Sequence, residues 1–443
     1  AAQPDAAAPG PAAATPAIAA DWWRGFGDAE LNDLIERALA GSPGLHMARA
    51  RLTRAAAAVS GARAADGPRV DGSLEVTRER FSATSIYPPP LGGSTRTLGN
   101  AQIGASWELD FFGRNRAAIE AALGSQRATE ADLHAARLVL ASNVARAYVQ
   151  LGRLFEQRDV ARQALQQRSE TLSLIRQRVQ SGLDSSVELR EGEGALPQSR
   201  QQIEQLDEQI TLARHALAAL TAQAPNALDA LQVRLRAFQG VPVPAAIPAD
   251  LLGRRADVTA ARWRVQAAAS DIQRAKAQFY PNVNLAAFFG LSSIGLDQLA
   301  KSASQQYGAG PAVRLPLFDA GRLRANLRGV TADYDAALES YNGAVLDALH
   351  DAADQISSLR AIDRQQLEQA SAQSAAEAAY GLALQRYQAG LGNYLIVLNA
   401  ESAVLTQRRQ AIDLQARMLE TQIALIRALG GGYAPLASNP GES

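Results

Sequence analysis

His46, His134, His215 and His350 are the only imidazoles in the 443-residue chain, and no two stand at a spacing that ligates a metal or serves a nucleophile. There is no Cys, so thiolate chemistry, thiolate metal sites and disulfides are all excluded. No G-x-S-x-G elbow occurs, and Gly430-Gly431-Gly432 lacks the Lys-Ser/Thr that completes a phosphate loop. No catalytic residue, metal or cofactor is therefore expected. The remaining chemistry is electrostatic. Asp184, Glu188 and Glu191 follow Gly182 closely, while Leu395, Asn399 and Glu401 follow Gly390. Carboxylates held together and partly dehydrated repel one another and attract cations, and a ring of leucines closes a passage by excluding water.

The elements that place these residues occur twice. Ala48–Leu52 through Val70 returns as Ala261–Val265 through Val283, 213 positions later. Arg178-Val179-Gln180-Ser181-Gly182-Leu183 returns as Arg386-Tyr387-Gln388-Ala389-Gly390-Leu391, 208 positions later. A period of about 200 residues is far beyond that of small-repeat solenoids, so the chain reads as a duplicated unit, 41–221 and 253–429. Each copy gives a helix, two strands, a very long helix, a Gly turn and a second long helix.

The strands are expected at about 69–80, 100–110, 281–291 and 306–316. In them Val70, Leu74 and Val76, Ile103 and Trp107, Val283, Leu285 and Phe289, and Tyr307 and Val313 alternate with polar or small residues. Asp71, Glu75, Glu108 and Arg314 fall on the polar side, as a wet lumen requires. Each run is about 9–11 residues, the length at which a tilted strand crosses a bilayer. A soluble antiparallel sheet packed on helices gives the same alternation. Long, turn-rich loops such as Tyr87–Gly93 favour the membrane reading.

The helices are expected at about 114–180, 187–221, 322–388 and 394–429. Leu189, Leu196, Ile203, Ile210 and Leu217 recur every seven residues, as do Val397, Val404, Ala411, Met418 and Leu425, the signature of coiled-coil packing. The stretches 114–180 and 322–388 contain no Pro, and at 1.5 Å per residue each is on the order of 100 Å long. Pro197, with Gly192 and Gly194, is expected to kink or weaken its helix. Hydrophobic residues make up 47% of the chain but aromatics only 5%, which suits close helix packing over one large aromatic core. The 44 basic and 44 acidic residues cancel, which argues against generic nucleic-acid binding. Four strands cannot close a membrane barrel, so membrane-spanning strands require association, and three copies supply twelve strands.

In its paired turn signatures, in Trp107–Gly113 and in Asn393–Ala400, the chain resembles the TolC/OprM-like outer-membrane factors, drug-efflux/NodT branch, from Trp22 to about Leu429. The resemblance implies a mixed α and β membrane protein. Its four transmembrane β-strands and long coiled-coil helices would form a homotrimer with a 12-strand β-barrel and a 12-helix α-barrel. Residues 1–40 and 222–252 would be a tail and equatorial segments, and 430–443 a C-terminal tail. The implied function is the exit duct of a tripartite multidrug efflux or type I-like export system in the bacterial outer membrane, with a large periplasmic portion. Its partners would be outer-membrane lipid, a periplasmic membrane-fusion adaptor meeting Gly182, Leu183, Gly390 and Leu391, and an inner-membrane pump of RND type. Gate candidates are Leu395, Asn399, Asp184, Glu188, Glu191 and Glu401. The family often carries an acidic residue where this chain has Asn399. The alternative reading is a soluble periplasmic coiled-coil adaptor or scaffold, which shares the heptads but has no need of membrane-length strands.

Overall fold

A computed structural model describes residues 18–238 and 255–433. The expected tails at 1–17 and 434–443, and 239–252 of the expected insertion, lie outside them. The described elements fall into two compact units, one built from residues 50–130 and 260–342 and the other from the described residues 18–49, 131–238, 255–259 and 343–433. In chain order they are α1 (Ala29–Gly41), α2 (Pro43–Ala65), β1 (Arg69–Arg80), β2 (Thr95–Leu109), α3 (Arg114–Gln180), α4 (Ser186–Leu220), α5 (Ala256–Ala277), β3 (Asn282–Ile294), β4 (Gln305–Arg314), α6 (Arg322–Gln388) and α7 (Tyr394–Ala428). Both α3 and α6 are 67 residues long, and both α4 and α7 are 35. Among the described residues no helix is long and apolar enough to cross a membrane.

The first unit holds one antiparallel sheet in the order β1-β2-β3-β4. The central pairing, β2 with β3, joins the two sequence copies, for example Ile103 opposite Phe289. β1 and β4 are the edges. Pro311 sits in β4 opposite Leu285, tolerated because an edge strand has one side without ladder bonds. Beside the sheet, α3 and α5 pack at very short range. A Cβ on Gly124 would lie 3.0 Å from the Cβ of Ala267, so only Gly permits that approach. The Arg127 guanidinium covers the Trp263 ring at 4.5 Å.

The second unit contains the main apolar core. Trp22, Trp23 and Phe26, followed by Leu31, Leu34 and Ile35 of α1, pack with Val144, Tyr148 and Leu151 of α3. Ile210 and Leu217 of α4 and Ile412 and Ile423 of α7 complete it. Asp28 starts α1 by accepting from the Leu31 N–H at 3.0 Å, and its other oxygen accepts from the Tyr148 hydroxyl at 3.1 Å. The heptad positions Ile203, Ile210, Leu217, Val397, Val404 and Leu425 are buried, which is why the seven-residue period was readable. α4 runs unbroken through Pro197. Gly192 has a packing role, since a Cβ there would lie 3.1 Å from both Leu172 and Ile175 of α3.

Candidate gate and lumen residues

The two helical reversals use the same backbone device. Past α3, the Leu183 N–H reaches the Arg178 carbonyl at 2.8 Å and the Gly182 N–H reaches that of Val179 at 3.0 Å. Past α6, Leu391 reaches Arg386 at 2.9 Å and Gly390 reaches Tyr387 at 3.0 Å. This paired closure needs a left-handed residue, and Gly182 (φ 74°) and Gly390 (φ 77°) supply it without a Cβ clash. Leu183 and Leu391, one residue on, are 65% and 71% exposed, so each tip presents a leucine to solvent.

The next helices are capped differently. Ser185 accepts from the Val187 N–H at 3.1 Å, while Glu188 reaches back to the Ser185 N–H at 3.0 Å and also takes the Ser185 hydroxyl. Those bonds hold the Glu188 carboxyl below its ordinary acidity range. On α7, Asn393 accepts from the Ile396 N–H at 3.2 Å.

Asp184 lies between the two hairpins. It takes a fork from Arg178, Nε to Oδ2 at 3.0 Å and Nη2 to Oδ1 at 3.2 Å, and the Tyr387 hydroxyl donates to Oδ2 at 2.5 Å. Arg178 also covers the Tyr387 ring at 4.7 Å. Burial works against the charge on Asp184, but the bonds from Arg178 and Tyr387 outweigh it and hold the carboxyl low. Burial and the neighbouring carboxylate push the Tyr387 phenol up. Ile175, Tyr394 and Val397 pack around Tyr387 as a small separate core.

Glu401 is buried on α7. Arg168 Nε meets both its oxygens at 3.1 Å, and Arg168 Nη1 donates to Ser199 Oγ at 2.9 Å, tying α3, α4 and α7 together. Burial raises the Glu401 carboxyl above its ordinary range despite Arg168. Leu395 and Asn399 occupy a different stripe of α7. One turn apart, they are both exposed, with Ser402 and Thr406 continuing the line, whereas Tyr394, Val397, Glu401 and Val404 are buried. Glu191 is exposed on α4. Asp184 and Glu401 are thus bound in ion pairs within the chain, and Leu395 with Asn399 forms the open stripe.

The sheet sorts most of its side chains, although Phe288 and Ile294 fall on the side of the polar residues and Arg78 and Arg80 on the apolar side. Residues opposite one another in the ladder share a face, so Asp71 with Gly104, Glu75 with Asn100, Glu108 with Asn284, and Arg314 with Asn282 all lie on one side. Glu108 is paired with Arg114. The other side carries Val70, Leu74, Val76, Ile103, Trp107, Leu285, Phe289, Tyr307 and Val313. All of these are exposed, from 43% at Trp107 and Leu285 to 81% at Tyr307. A water-soluble sheet would bury such a face, at roughly 1.5–3 kcal/mol of stabilisation per large side chain. Leaving it bare favours lipid contact over the soluble-adaptor reading.

Sequence reasoning missed two pairings, Tyr387 with Asp184 and Arg168 with Glu401. The first left a trace. The repeat signatures differ at their second position, Val179 in one copy and Tyr387 in the other, and the odd aromatic is the one that crosses between hairpins.

The sequence pattern of the outer membrane efflux protein family matches residues 34–223 and 247–431. Among curated relatives, the fusaric acid resistance protein FusA of Burkholderia cepacia is 40% identical over 71% of this chain, and the match spans 60% of FusA's own length. The putative multidrug resistance outer membrane protein MdtQ of Escherichia coli is 33% identical over 93% of this chain and 88% of its own. Among solved structures, the outer membrane protein VceC of Vibrio cholerae superposes with a TM-score of 0.88 at 37% identity, covering 94% of this chain and all of VceC.

Proposed function

The chain belongs to the outer membrane efflux protein family, and from that premise we propose that three copies form the gated exit duct of a tripartite efflux assembly. The protein is an outer-membrane efflux channel. The observation that carries the finer reading is the sheet: one mainly apolar face whose large side chains are mostly exposed, one mainly polar face, and two edge strands with unpaired backbone groups. In lipid each unpaired group costs several kcal/mol, so four strands need further copies to close. Three chains give twelve strands, enough for a water-filled passage lined by Asp71, Glu75, Glu108 and Arg314.

The helices of the three chains close the passage at its far end. Leu395 and Asn399 face the axis, with Glu191 near them. Threefold Leu395 excludes water, and Asn399 supplies a neutral polar ring. Asp184 and Glu401 act indirectly, by locking one hairpin against the other, and Glu188 acts by starting α4. The tips around Leu183 and Leu391 dock a periplasmic adaptor, which couples the duct to an energised inner-membrane pump. The names of MdtQ and FusA support small toxic organic molecules as the exported class. Transport through this chain is passive. Size-exclusion chromatography with light scattering in detergent tests the assembly: a protein mass three times the 46.9 kDa chain is expected, and a monodisperse, detergent-independent monomer overturns it.

A further inference from the structure

At the base of the sheet a cavity of about 740 Å³ is lined by the ends of β2, β3 and β4 and the starts of α3 and α6. The strand residues on its wall are Glu108, Asn282, Asn284, Ala312 and Arg314 of the polar face and Leu109 and Val313 of the other, so the cavity lies at the end of the sheet and reaches its polar side. Its volume falls within the range of small-molecule sites. Three properties of its lining point to one class of occupant.

The first is aromatic. Phe112 and Tyr280 stack with centroids 4.9 Å apart and planes at 12°, and both remain about half exposed. A stacked pair with an open edge and face accepts a further planar ring. The second is charge. Arg114, Arg314 and Arg322 face two carboxylates, Glu108 and Asp110. Arg114 is engaged by Glu108, and Asp110 accepts from the Arg116 N–H at 2.9 Å. Neither Arg314 nor Arg322, both exposed, has an ion-pair partner among the described residues, so the lining keeps unspent guanidinium charge, and Arg314 is the one carried by the polar face of the sheet, with a planar fork suited to a carboxylate. The third is an unmet acceptor. Asn284 Oδ1 is buried and has no hydrogen-bond partner among the described residues.

We propose that this cavity is a binding station for planar aromatic carboxylates bearing an N–H or O–H donor. The carboxylate pairs with Arg314, the ring lies against the Phe112–Tyr280 stack, and the donor satisfies Asn284. The proposal rests on the duct reading, because the polar face must border the passage for cargo to reach the cavity. Three copies would give three stations around one lumen, which would concentrate such anions on their way out.

The test is single-channel recording of the trimer in planar bilayers with 6-hydroxy-2-naphthoate as probe and 2-naphthylmethylammonium as the cationic comparator. The naphthoate is expected to reduce current in a saturable way. Its half-blocking concentration should rise on the order of tenfold in Arg314→Gln and in Tyr280→Ala, with Arg314→Lys in between. The ammonium compound should show no change between these variants. Each variant's block is referred to its own unblocked current, so altered conductance does not confound the comparison. Equal block by both compounds, or a naphthoate block indifferent to Arg314→Gln, overturns the station while leaving the duct standing. If no conducting trimer forms, the duct reading fails instead, and equilibrium dialysis of the same probe with wild-type and Arg314→Gln protein in detergent decides the site alone: equal binding overturns it.

Discussion

The Tyr387 hydroxyl donates to Asp184 Oδ2 at 2.5 Å, so a residue near the end of α6 holds the turn that follows α3. The contact links two hairpins some 200 residues apart in sequence, and Arg178 closes it from both sides by forking onto the carboxylate and covering the ring. Tyr387→Phe keeps the ring under Arg178 and removes only the donor. We expect a loss of about 1.5–3 kcal/mol, typical of a hydrogen bond to a charged partner. Hydrogen exchange at 181–185 and 389–393 should speed up while the main core stays protected. Uniform loss of protection across both regions would mean that the bond is not local to the tips.

Acid should act on this tip with a definite sign. Asp184 is held below its ordinary range, so its contribution to stability is fully present above the unfolded value and is lost as pH falls through the lower folded value. Glu401 behaves oppositely: its folded value is raised, so its charged form burdens the fold at neutral pH, and that burden is lifted as pH drops. Below about pH 4 the tips should therefore loosen first. Exchange rates at 181–185 measured between neutral pH and that range, corrected for intrinsic chemistry, check it. Asp184→Asn should weaken the dependence, leaving the part contributed by Glu188, which is also held low and accepts from the Ser185 N–H.

The Arg168–Glu401 pair is buried, with side chains 15% and 8% exposed. Removing one partner strands the other's charge, so Arg168→Met should destabilise by roughly 3–5 kcal/mol. Replacing both, as Arg168→Met with Glu401→Leu, trades the pair for apolar packing of similar volume and should recover most of that loss. Urea unfolding of the three variants tests this. If the double variant is as weak as the single one, Ser199 and the geometry of the pair matter more than its charges.

Much of this was legible in the sequence because it depends on short-range pattern. Alternation marked Val70 to Val76 and Val283 to Leu291, and the Gly turns sat in repeated signatures. β2, however, starts at Thr95, about five residues before its alternation begins. Thr95, Arg96 and Thr97 carry no apolar signal, and only their pairing with Arg80, Glu79 and Arg78 makes them a strand. The inter-hairpin ion pairs were invisible for a related reason. Whether Glu401 faces a passage or Arg168 depends on how α7 is rotated against α3, and the heptad fixes that rotation only once both helices are packed. Leu395 and Glu401 are six residues apart and look equivalent in sequence, yet they occupy different stripes of one helix.

That difference separates two kinds of gate variant. Leu395→Ser with Asn399→Ser changes only the exposed stripe, so folding should be little affected, surface changes typically costing within about 0.5 kcal/mol. Conductance, or vancomycin entry into cells, should rise. Unchanged values in both assays would remove these two residues from the constriction.

The most direct check on lipid contact uses adjacent residues of β1. Leu74 is 75% exposed on the apolar face, and Ser73, its neighbour, lies on the polar face opposite Gln102. Propensity, strand position and exposure are nearly matched, so a charge at each site differs chiefly in the medium it meets. Leu74→Arg places a cation in hydrocarbon, at roughly 2–4 kcal/mol near the bilayer midplane, multiplied over every copy in the assembly. Ser73→Arg places it in water. Outer-membrane recovery and trimer yield should therefore fall sharply for Leu74→Arg and hold for Ser73→Arg. Equal yields would mean that both faces are wet, and the same pair exchanged at Phe289 and Phe288, opposite Ile103 and Gly104 in the next ladder, would show whether that holds across the sheet.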